Sequence, residues 1–236
     1  MTQTYGHFCP VARTLEKIGD KWTLLIIRDL LPGPQRFTDL LGYLNAITPK
    51  WLTRRLRDLE SAGIVERDSQ PGRRQIWYRL TPAGRDLSPI VESLAAWGFR
   101  YAMRPPTPGE VVHPDKLIQA LTLSLNQKGK RLARPTGWMI RFAKDHFSLS
   151  FDGEKWASCR TEILEADLVI TTTPEMWATV FTAPRSDRSR LAKNIQVEGE
   201  SRHINEFKRV FGLRDREEEK ALDTVKERLP RRRALA

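Results

Sequence analysis

The segment from Thr48 to Ala62 constrains the fold of this chain more than any other. Thr48 is a residue type that caps helices, and Pro49 suits the first helical position, where its missing N–H costs no hydrogen bond. Three leucines recur along the segment at the spacing of one helical face, at Leu52, Leu56 and Leu59. The segment is therefore predicted to be a helix that packs against its own domain through this leucine stripe.

The face opposite the leucine stripe is polar and mostly cationic. It carries Lys50, Thr53, Arg54 and Arg57, and Arg55 lies on the flank beside Trp51. A helix of this kind fits the major groove of DNA, where its N-terminal side chains reach base edges and its cations reach phosphates. Taken alone, a cationic helix face is usually just a solvated surface, so its neighbours matter.

Three helices are predicted before this segment. Apolar residues at helical spacing and helix-capping residues mark them. They cover residues 10–18, 21–31 and 38–44, with Asp20 and Thr38 as caps of the last two.

A hairpin with a basic tip is predicted after the segment. Residues 64–68 and 75–80 are predicted strands, and the Pro-Gly pair at 71–72 is typical of a turn. Arg73 and Arg74 lie at the tip, where a wing touches the DNA backbone or minor groove. The order helix, helix, basic helix, basic hairpin predicts a winged helix-turn-helix that binds double-stranded DNA. The formal net charge of +11 agrees with a polyanionic partner.

The helical region after the hairpin ends in an apolar stripe. The stripe consists of Ile90, Leu94, Trp97 and Tyr101. It is wider than one small domain needs, so we predict that it pairs with the same helix of a second copy. Such a homodimer would place two DNA-reading helices about 34–36 Å apart, one turn of DNA.

A proline-rich segment at residues 104–109 separates two predicted domains. Its three prolines and one glycine cannot continue a helix and favour extended backbone. We predict a winged-helix and dimerisation domain at residues 1–104, a second domain at 113–213 and a charged tail at 214–236.

The second domain alternates helical and strand patterns, so the predicted fold class of the whole chain is α+β. One antiparallel-type sheet is predicted, with strands at residues 138–142, 147–151, 155–159, 167–172 and 195–198. Helices are predicted at residues 114–127, from 174 onward and at 203–211.

Residues 9–98 resemble the HxlR-type branch of the winged-helix regulators, which are relatives of the MarR group. The motifs that carry the resemblance are CPV at 9–11, IGDKWTLLI at 18–26, RFTDL at 36–40, ITP at 47–49, LTRRLRDLE at 52–60, AGIV at 62–65 and YRLTPAG at 78–84. The resemblance implies a homodimer, paired through terminal helices, that represses or activates transcription from a pseudo-palindromic operator. Arg55, Arg73 and Arg74 join the candidate DNA-binding residues named above.

Cys9 matches the position, just before Pro10, at which several regulators resembling this chain sense oxidants or electrophiles. The resemblance therefore implies a redox role for its thiol. Sensing requires an exposed, reactive thiol. The alternative is a small residue packed between helices, and the sequence leaves both open.

Part of the second domain resembles the sterol-carrier-protein fold. The resemblance rests on ADLVITTTPEMW at 166–177, IQVEG at 195–199 and FKRVF at 207–211. It implies an α/β sandwich whose apolar tunnel holds a lipid-like molecule. The candidate ligand-binding residues are Trp138, Phe147, Phe151, Met176, Trp177, Phe181 and Phe207. The alternative is that they form an ordinary core, since a domain of this size needs many apolar groups to fold.

No catalytic, cofactor or metal motif marks the chain. The HExxH, GxSxG, GxGxxG and phosphate-loop patterns are missing, and the four histidines are scattered. An enzyme, a cofactor and a metal ion are therefore not expected. No apolar run approaches the roughly 18 residues of a membrane span, residues 1–8 do not resemble a signal peptide, and the two cysteines lie far apart. A cytoplasmic protein without a membrane partner is expected.

The sequence thus predicts a DNA-binding transcription regulator that responds to an apolar small molecule or to oxidation. One alternative is a DNA-binding protein without an effector, whose second domain only stabilises the dimer. Another is a lipid-carrier protein or enzyme that uses the winged helix for protein contacts. The operator, the target genes and the effector are left open.

Overall fold

Four helices precede a β-hairpin in the computed structural model, which describes residues 4–68 and 75–214. They are α1 (Pro10–Ile18), α2 (Thr23–Leu30), α3 (Phe37–Leu44) and α4 (Pro49–Ser61).

Of the predicted caps Asp20 and Thr48, Thr48 caps its helix, whereas the prediction of Asp20 was wrong, because α2 begins at Thr23 with Trp22 at its cap position and no side-chain cap hydrogen bond. Asp20 Oδ1 accepts a hydrogen bond from the backbone N–H of Trp22 at 3.0 Å, just before α2. Thr48 Oγ1 accepts one from the backbone N–H of Trp51 at 3.4 Å, at the beginning of α4. Thr48 thus binds an N–H group that has no partner inside the helix, and Asp20 binds the turn that precedes α2.

The prediction of Thr38 as the cap of α3 was wrong. The helix already begins at Phe37, and the backbone N–H of Arg36 donates to Asp39 Oδ2 at 3.1 Å. Gln35 and Arg36 also form a short strand, β1 (Gln35–Arg36), which no alternating pattern announces because it has only two residues.

The hairpin strands are β2 (Val65–Asp68) and β3 (Trp77–Leu80). They pair antiparallel, and β1 pairs with the other edge of β3, so the sheet has the order β1-β3-β2. The guanidinium carbon of Arg36 lies 5.4 Å from the centroid of the Trp77 ring across this sheet. The predicted turn at residues 71–72 lies outside the described residues.

Two helices follow the hairpin, α5 (Pro82–Arg85) and α6 (Ser88–Tyr101). Tertiary contacts divide the chain into two units, Met1–Trp97 and Gly98–Ala236, and the division lies inside α6. The proline-rich segment at 104–109, where the sequence places the domain boundary, comes shortly after this helix.

Thr81 connects the hairpin to α5. Its Oγ1 donates to the carbonyl oxygen of Gly63 at 2.6 Å and accepts from the backbone N–H of Gly84 at 3.1 Å. Gly84 is buried so closely that a Cβ atom there would lie 2.2 Å from the carbonyl oxygen of Ile64. Only glycine fits this contact.

The core of the first unit is aliphatic. The leucine stripe of α4 is at most 1% exposed. It packs with side chains from α1, α2, α3 and the hairpin region, namely Ile18, Ile26, Ile27, Leu30, Leu40, Leu44, Ile47, Ile64, Val65 and Leu80. Burial of these groups fixes α4 in place and leaves its cationic face outside.

An ion pair holds the segment after α6. The two guanidinium nitrogens of Arg104 lie 2.7 and 2.8 Å from the carboxylate oxygens of Glu110, and the N–H of Thr107 donates to Glu110 Oε2 at 2.8 Å. The hydrogen bonds from Arg104 and Thr107 lower the pKa of Glu110 to about 2. The proline-rich segment therefore forms a defined turn.

A mixed sheet organises the described part of the second unit. Its strands are β4 (Thr136–Phe142), β5 (Asp145–Phe151), β6 (Trp156–Cys159), β7 (Leu168–Thr172) and β8 (Gln196–Gly199). They have the order β6-β5-β4-β7-β8.

The pairing of β4 with β7 corrects the expectation of an antiparallel-type sheet. This pair is parallel, whereas the other neighbours are antiparallel. Hairpin turns force the antiparallel direction on β4, β5 and β6. The longer connection from the edge strand β6 to β7, on the far side of β4, leaves the direction free.

Helices accompany this sheet. They are α7 (Pro114–Gln127), α8 (Pro174–Thr182), α9 (Arg185–Ala192) and α10 (Ser201–Phe211). The sequence predicts α7 at its observed bounds and α8 from residue 174. Thr173 caps α8, since its Oγ1 accepts from the N–H of Met176 at 3.1 Å. The sequence does not predict α9, because that helix has no apolar repeat.

Helix α7 binds the edge strand β6 through side chains. Asn126 Oδ1 accepts from the backbone N–H of Trp156 at 2.8 Å, and Asn126 Nδ2 donates to the carbonyl oxygen of Trp156 at 2.9 Å. The hydroxyl groups of Thr122 and Ser158 lie 2.9 Å apart. Both main-chain polar groups of Trp156 are thereby bound at the sheet edge.

Candidate nucleic-acid interface

The outer face of α4 gathers four of the predicted DNA-binding residues. A shallow depression on the surface is lined by Lys50, Thr53, Arg54, Arg57 and Asp58. The lysine and the two arginines are exposed, and Thr53 is half-buried. Three cations beside one carboxylate leave this surface net positive, which suits phosphate groups.

Thr53 has one constraint on what it can bind. Its Oγ1 donates its proton to the carbonyl oxygen of Pro49 at 2.8 Å. The hydroxyl can then only accept a hydrogen bond, and the methyl group is the other contact that it offers. On DNA, this favours a base amino group or a thymine methyl over a phosphate, which is itself an acceptor.

Trp51 is a candidate that the sequence places only on the flank. It is 47% exposed near the beginning of α4. The guanidinium carbons of Arg54 and Arg55 lie 5.5 and 5.9 Å from the centroid of its ring. An aromatic face orients the planar guanidinium group, so Trp51 supports the direction of Arg54. The sequence feature that could have identified Trp51 is a large aromatic residue among cations in the first helical turn.

Arg55 is bound within its own domain. Its Nη1 lies 3.7 Å from Asp20 Oδ2, and its Nη2 lies 3.1 Å from Asp58 Oδ2. The Arg55 side chain is 16% exposed. Among the candidate DNA-binding residues, it therefore has a placement that suits holding α4 rather than reaching out to a ligand.

The base of the wing carries paired charges. Arg79 Nε lies 2.9 Å from Glu66 Oε1, and Arg67 Nε lies 3.8 Å from Glu60 Oε1. The predicted wing contacts, Arg73 and Arg74, lie outside the described residues.

The predicted dimerisation stripe is exposed along α6. Ile90, Leu94, Trp97 and Tyr101 are 41, 50, 60 and 61% exposed. A second shallow depression is lined by Pro89, Ile90, Ser93, Leu94 and Trp97. Large apolar side chains this exposed are typical of a surface that another protein covers.

Cys9 immediately precedes α1. It is half-buried and is a free thiol, and its carbonyl oxygen accepts the N–H of Arg13 at 3.0 Å. Phe8 beside it is fully exposed. Cys159, on the edge strand β6, is also a free thiol and is exposed.

The seven candidate ligand-binding residues of the second unit lie in one interior cluster. At most 3% exposed are Trp138, Phe147, Phe151, Trp177 and Phe207. Met176 and Phe181 are partly buried and pack against the same cluster.

The aromatic rings of this cluster contact each other. The ring centroids of Trp177 and Phe181 lie 4.6 Å apart, and those of Phe207 and Phe211 lie 5.0 Å apart. Trp138 meets Phe207 edge-on at 5.7 Å. These separations are normal for packed aromatic cores. The structure thus brings the seven candidate ligand-binding residues together, and their aromatic rings pack against one another and against further rings such as that of Phe211.

Metal-binding and membrane-spanning features are not found in the described residues. These residues contain no group of three or more His, Cys, Asp or Glu side chains that could hold a metal ion. No helix in that part of the chain combines the length and apolar content that crossing a bilayer requires.

Comparison with known proteins finds relatives of the first unit. The family described as HxlR-like helix-turn-helix matches residues 17–106. An uncharacterized HTH-type transcriptional regulator of Synechocystis is 36% identical over 94 residues, which are 39% of this chain and 70% of the relative. A second uncharacterized HTH-type transcriptional regulator, from Methanothermobacter thermautotrophicus, is 34% identical over 105 residues, which are 44% of this chain and 80% of the relative.

Among solved structures, the redox regulator HypR in its oxidized form is 38% identical, with a TM-score of 0.37. The similarity covers 38% of this chain and 94% of that protein.

Proposed function

Because the chain belongs to the HxlR-like helix-turn-helix family of transcriptional regulators, we propose that it is a homodimer that binds a pseudo-palindromic operator through α4 of each subunit. The observation that carries this proposal is the exposed cationic face of α4, which lies opposite a leucine stripe that is at most 1% exposed. A helix fixed from behind in this way can present its outer side chains to the major groove without rearranging.

The proposal gives each side chain of this face a role. Arg54 and Lys50, near the beginning of α4, reach guanine edges or phosphates, and Arg57 binds the backbone. Thr53 contributes its methyl group or accepts from a base. The wing arginines Arg73 and Arg74 add sequence-independent contacts to the backbone or minor groove.

The experiment is selection of duplexes from a random pool by the full chain at fixed salt, followed by footprinting across its genomic neighbourhood. We expect one motif with two half-sites about 10 bp apart, one turn of DNA. Enrichment no better than that of a shuffled duplex would overturn the proposal. DNA binding also places the protein with the chromosome, which in bacteria and archaea is in the cytoplasm.

We also propose that the second unit is a sterol-carrier-like α/β sandwich that binds an apolar effector. Support comes from its large apolar interior between a sheet and helices, which includes Trp138 and Trp177. A ligand would shift operator binding only by its different affinity for the bound and free arrangements. Screening fatty acids, sterol-like molecules and aromatic hydrocarbons by thermal shift tests this. A hit at hundredfold excess over its Kd should stabilise the fold by about 2.7 kcal/mol.

The ring contacts in that interior favour a second candidate. If Trp177, Phe181 and Phe207 only pack against each other, the second unit is a structural extension of an effector-independent DNA-binding dimer. A compound that stabilises the protein and changes operator affinity supports the first candidate. Stabilisation without a change in operator affinity would keep the pocket but remove its coupling to DNA binding, and no stabilisation by any apolar compound supports the second.

Oxidation is the other proposed signal, and it acts through Cys9. The support is its half-buried free thiol directly before α1. Oxidation of a thiol there adds polar atoms to helix packing and would alter the placement of α1.

A further inference from the structure

Two polar atoms on the interior face of the second unit's sheet have no hydrogen-bond partner among the described residues. One is Nε1 of Trp138, on β4, and the other is Oγ1 of Thr172, at the end of β7. We call them the orphaned atoms. Both are shielded from solvent, and the whole of Trp138 is 0% exposed. A buried polar group without a partner costs free energy, so folded proteins keep few of them, and a binding site is one reason to keep them.

Comparable groups of the second unit do find partners inside the protein. The ring centroid of Trp156 lies 5.1 Å from that of Trp138, and its Nε1–H donates to the carbonyl oxygen of Lys130 at 2.6 Å. On α8, the hydroxyl groups of Thr179 and Thr182 donate to backbone carbonyl oxygens at 2.7 and 2.6 Å. The lack of a partner is therefore particular to the two orphaned atoms.

The surroundings of Trp138 differ from those of other unpartnered atoms in the second unit. Nε of Arg141 belongs to a side chain that pairs with Glu162. Nδ1 of His203 lies 3.3 Å from a carboxylate oxygen of Glu206. Trp138 instead meets three aromatic rings at centroid distances of 5.1 to 5.9 Å. Ring carbons do not offer the lone pair that an ordinary hydrogen bond of the indole N–H requires, so an acceptor has to come from elsewhere.

The register of the sheet places the orphaned atoms at opposite ends of one apolar strip. Trp138 and Phe142 are four residues apart on β4, and Phe142 is the register partner of Thr172 on β7. Strands rise about 3.3 Å per residue, so the two positions lie about 13 Å apart along the sheet. Between them, Ile140 and Ile170 are register partners, and both are 0% exposed. The alternation of strand side chains puts all five on the same face.

We propose that this face binds a slender, unbranched apolar molecule with an oxygen atom at each end. The inference rests on the proposed function, which gives the second unit an apolar effector, and it adds the chemistry that selects the effector. The oxygen at one end accepts the indole N–H of Trp138. The oxygen at the other end bonds the hydroxyl group of Thr172, which can donate or accept. The chain between the two ends contacts Ile140 and Ile170.

The packing of the interior favours a slender molecule over a broad one. Of the candidate ligand-binding residues, Met176 and Phe181 on α8 are partly buried, whereas the other five are at most 3% exposed. The ring of Trp177 already contacts its neighbours at centroid distances of 4.6 to 6.5 Å, so an entering molecule has to take the place of side chains. The flexible methionine adapts most easily. An alkyl chain displaces fewer of these contacts than a sterol nucleus does.

The experiment uses three probes with the same carbon chain and different ends, namely decane, decanol and the decanediol with a hydroxyl group at each end. Their binding to the full chain is measured by thermal shift and by titration calorimetry. A hydroxyl oxygen can accept from Trp138 and can bond Thr172. We expect the affinity to rise in the order alkane, alcohol, diol, by roughly 2–10-fold for each hydrogen bond gained.

Two substitutions each remove one orphaned atom. Thr172→Val replaces the hydroxyl group with a methyl group of similar shape, and Trp138→Phe removes the N–H and keeps an aromatic ring. Thr171→Val, on the opposite face of the same strand, is the matched control. Either substitution should lower the affinity for the diol to that for the alcohol, and the control should match wild type. Without a probe, Thr172→Val should unfold in urea no earlier than the control, because it removes a buried group that has no partner.

The outcomes separate this inference from the proposed function. Equal affinity of wild type for the three probes would overturn the inference and leave an apolar effector site in place. An equal loss of diol binding in Thr172→Val and Thr171→Val would overturn it too, and so would a ligand-free Thr172→Val less stable than its control. If no probe binds, the inference fails, and the proposed effector site fails with it only if the wider screen of apolar compounds also finds none. Operator binding through α4 is measured independently of all these results.

Discussion

Arg55 Nη1 lies 3.7 Å from Asp20 Oδ2, so an ion pair connects the middle of α4 to the beginning of α2. The same aspartate accepts the backbone N–H of Trp22, and the same arginine reaches Asp58. One carboxylate therefore binds both the turn just before α2 and the side chain of Arg55 on α4. This arrangement gives Arg55 a positioning role. Its guanidinium group is already paired with two carboxylates of its own domain, and it would have to break these ion pairs to contact DNA.

We expect Arg55 and Asp20 to be coupled energetically. In a double-mutant cycle of Arg55→Met and Asp20→Asn, the coupling should be about 0.5–1 kcal/mol, in the upper part of the range for surface ion pairs. Asparagine still accepts the N–H of Trp22, so the cycle isolates the charge. Urea unfolding of the full chain measures it. Arg54→Met paired with Asp20→Asn is the control, and a cycle no larger than this control would contradict the assignment.

Arg54→Ala should weaken operator binding by about 1–3 kcal/mol and leave folding intact, because Arg54 is exposed on the outer face of α4. Arg141→Ala, which removes one arginine from the second unit, provides the matched control. Fluorescence anisotropy at one fixed salt concentration gives both affinities. If the two variants bind the operator equally well, Arg54 does not read it.

Two glycines of the first unit should respond in opposite directions to the same substitution. Gly84→Ala places a Cβ atom 2.2 Å from the carbonyl oxygen of Ile64 and should destabilise the protein by about 1–3 kcal/mol. Gly42→Ala lies inside α3, has nothing within 4 Å of the new atom and should stabilise it by up to about 1 kcal/mol. Unfolding curves that shift in the same direction for both variants would contradict the structure here.

The beginning of α4 could be predicted from the sequence, because its cap is local, whereas the beginnings of α2 and α3 were predicted one or two residues away from where they lie. Thr48 and Pro49 mark the beginning of α4 by chemistry that involves only its own first turn. Helix α9 could not be predicted, because its fold depends on neighbours that its polar sequence does not reveal. The parallel pair β4–β7 could not be predicted either, since an alternating pattern indicates a strand but not its partner.

The candidate site shows the same limit. The leucine stripe predicts which face of α4 is outside, and on that face Lys50, Thr53, Arg54 and Arg57 line one depression. The contact of Arg55 with Asp20 could not be predicted, because the two residues lie far apart in the sequence and no periodic pattern relates their positions. The difference between a ligand pocket and a packed aromatic core also depends on the distances between side chains. A composition rich in Trp and Phe does not give these distances.

Leu94→Glu should convert the proposed dimer into a monomer. Leu94 is 50% exposed in the middle of the α6 stripe, so a carboxylate there would be buried without a partner in any pairing through this helix. Sedimentation at micromolar concentration measures the state. Leu164→Glu, at a 99% exposed leucine in the second unit, should leave the dimer intact. A wild-type monomer, or equal behaviour of both variants, would reject pairing through α6.

Cys9→Ser should bind the operator identically with and without peroxide, while wild type and Cys159→Ser should both change their affinity on oxidation. The chain has two cysteines, so this pair of variants assigns any response to one thiol. Operator titrations before and after treatment, with recovery by a reducing agent, provide the measurement. A wild type that does not respond would make Cys9 a structural residue.

The contact between Asn126 and Trp156 matters for how the protein behaves in a crowded solution. An edge strand whose N–H and C=O groups point outward is a template on which strands of other molecules add, and this is how ordered aggregates grow. At β6, the amide of Asn126 already occupies both groups of Trp156. An incoming strand would first have to displace a side chain that α7 holds in place. Asn126 therefore protects this sheet edge against the addition of further strands. Its replacement by leucine would expose the edge to fibril growth while leaving the sheet itself intact.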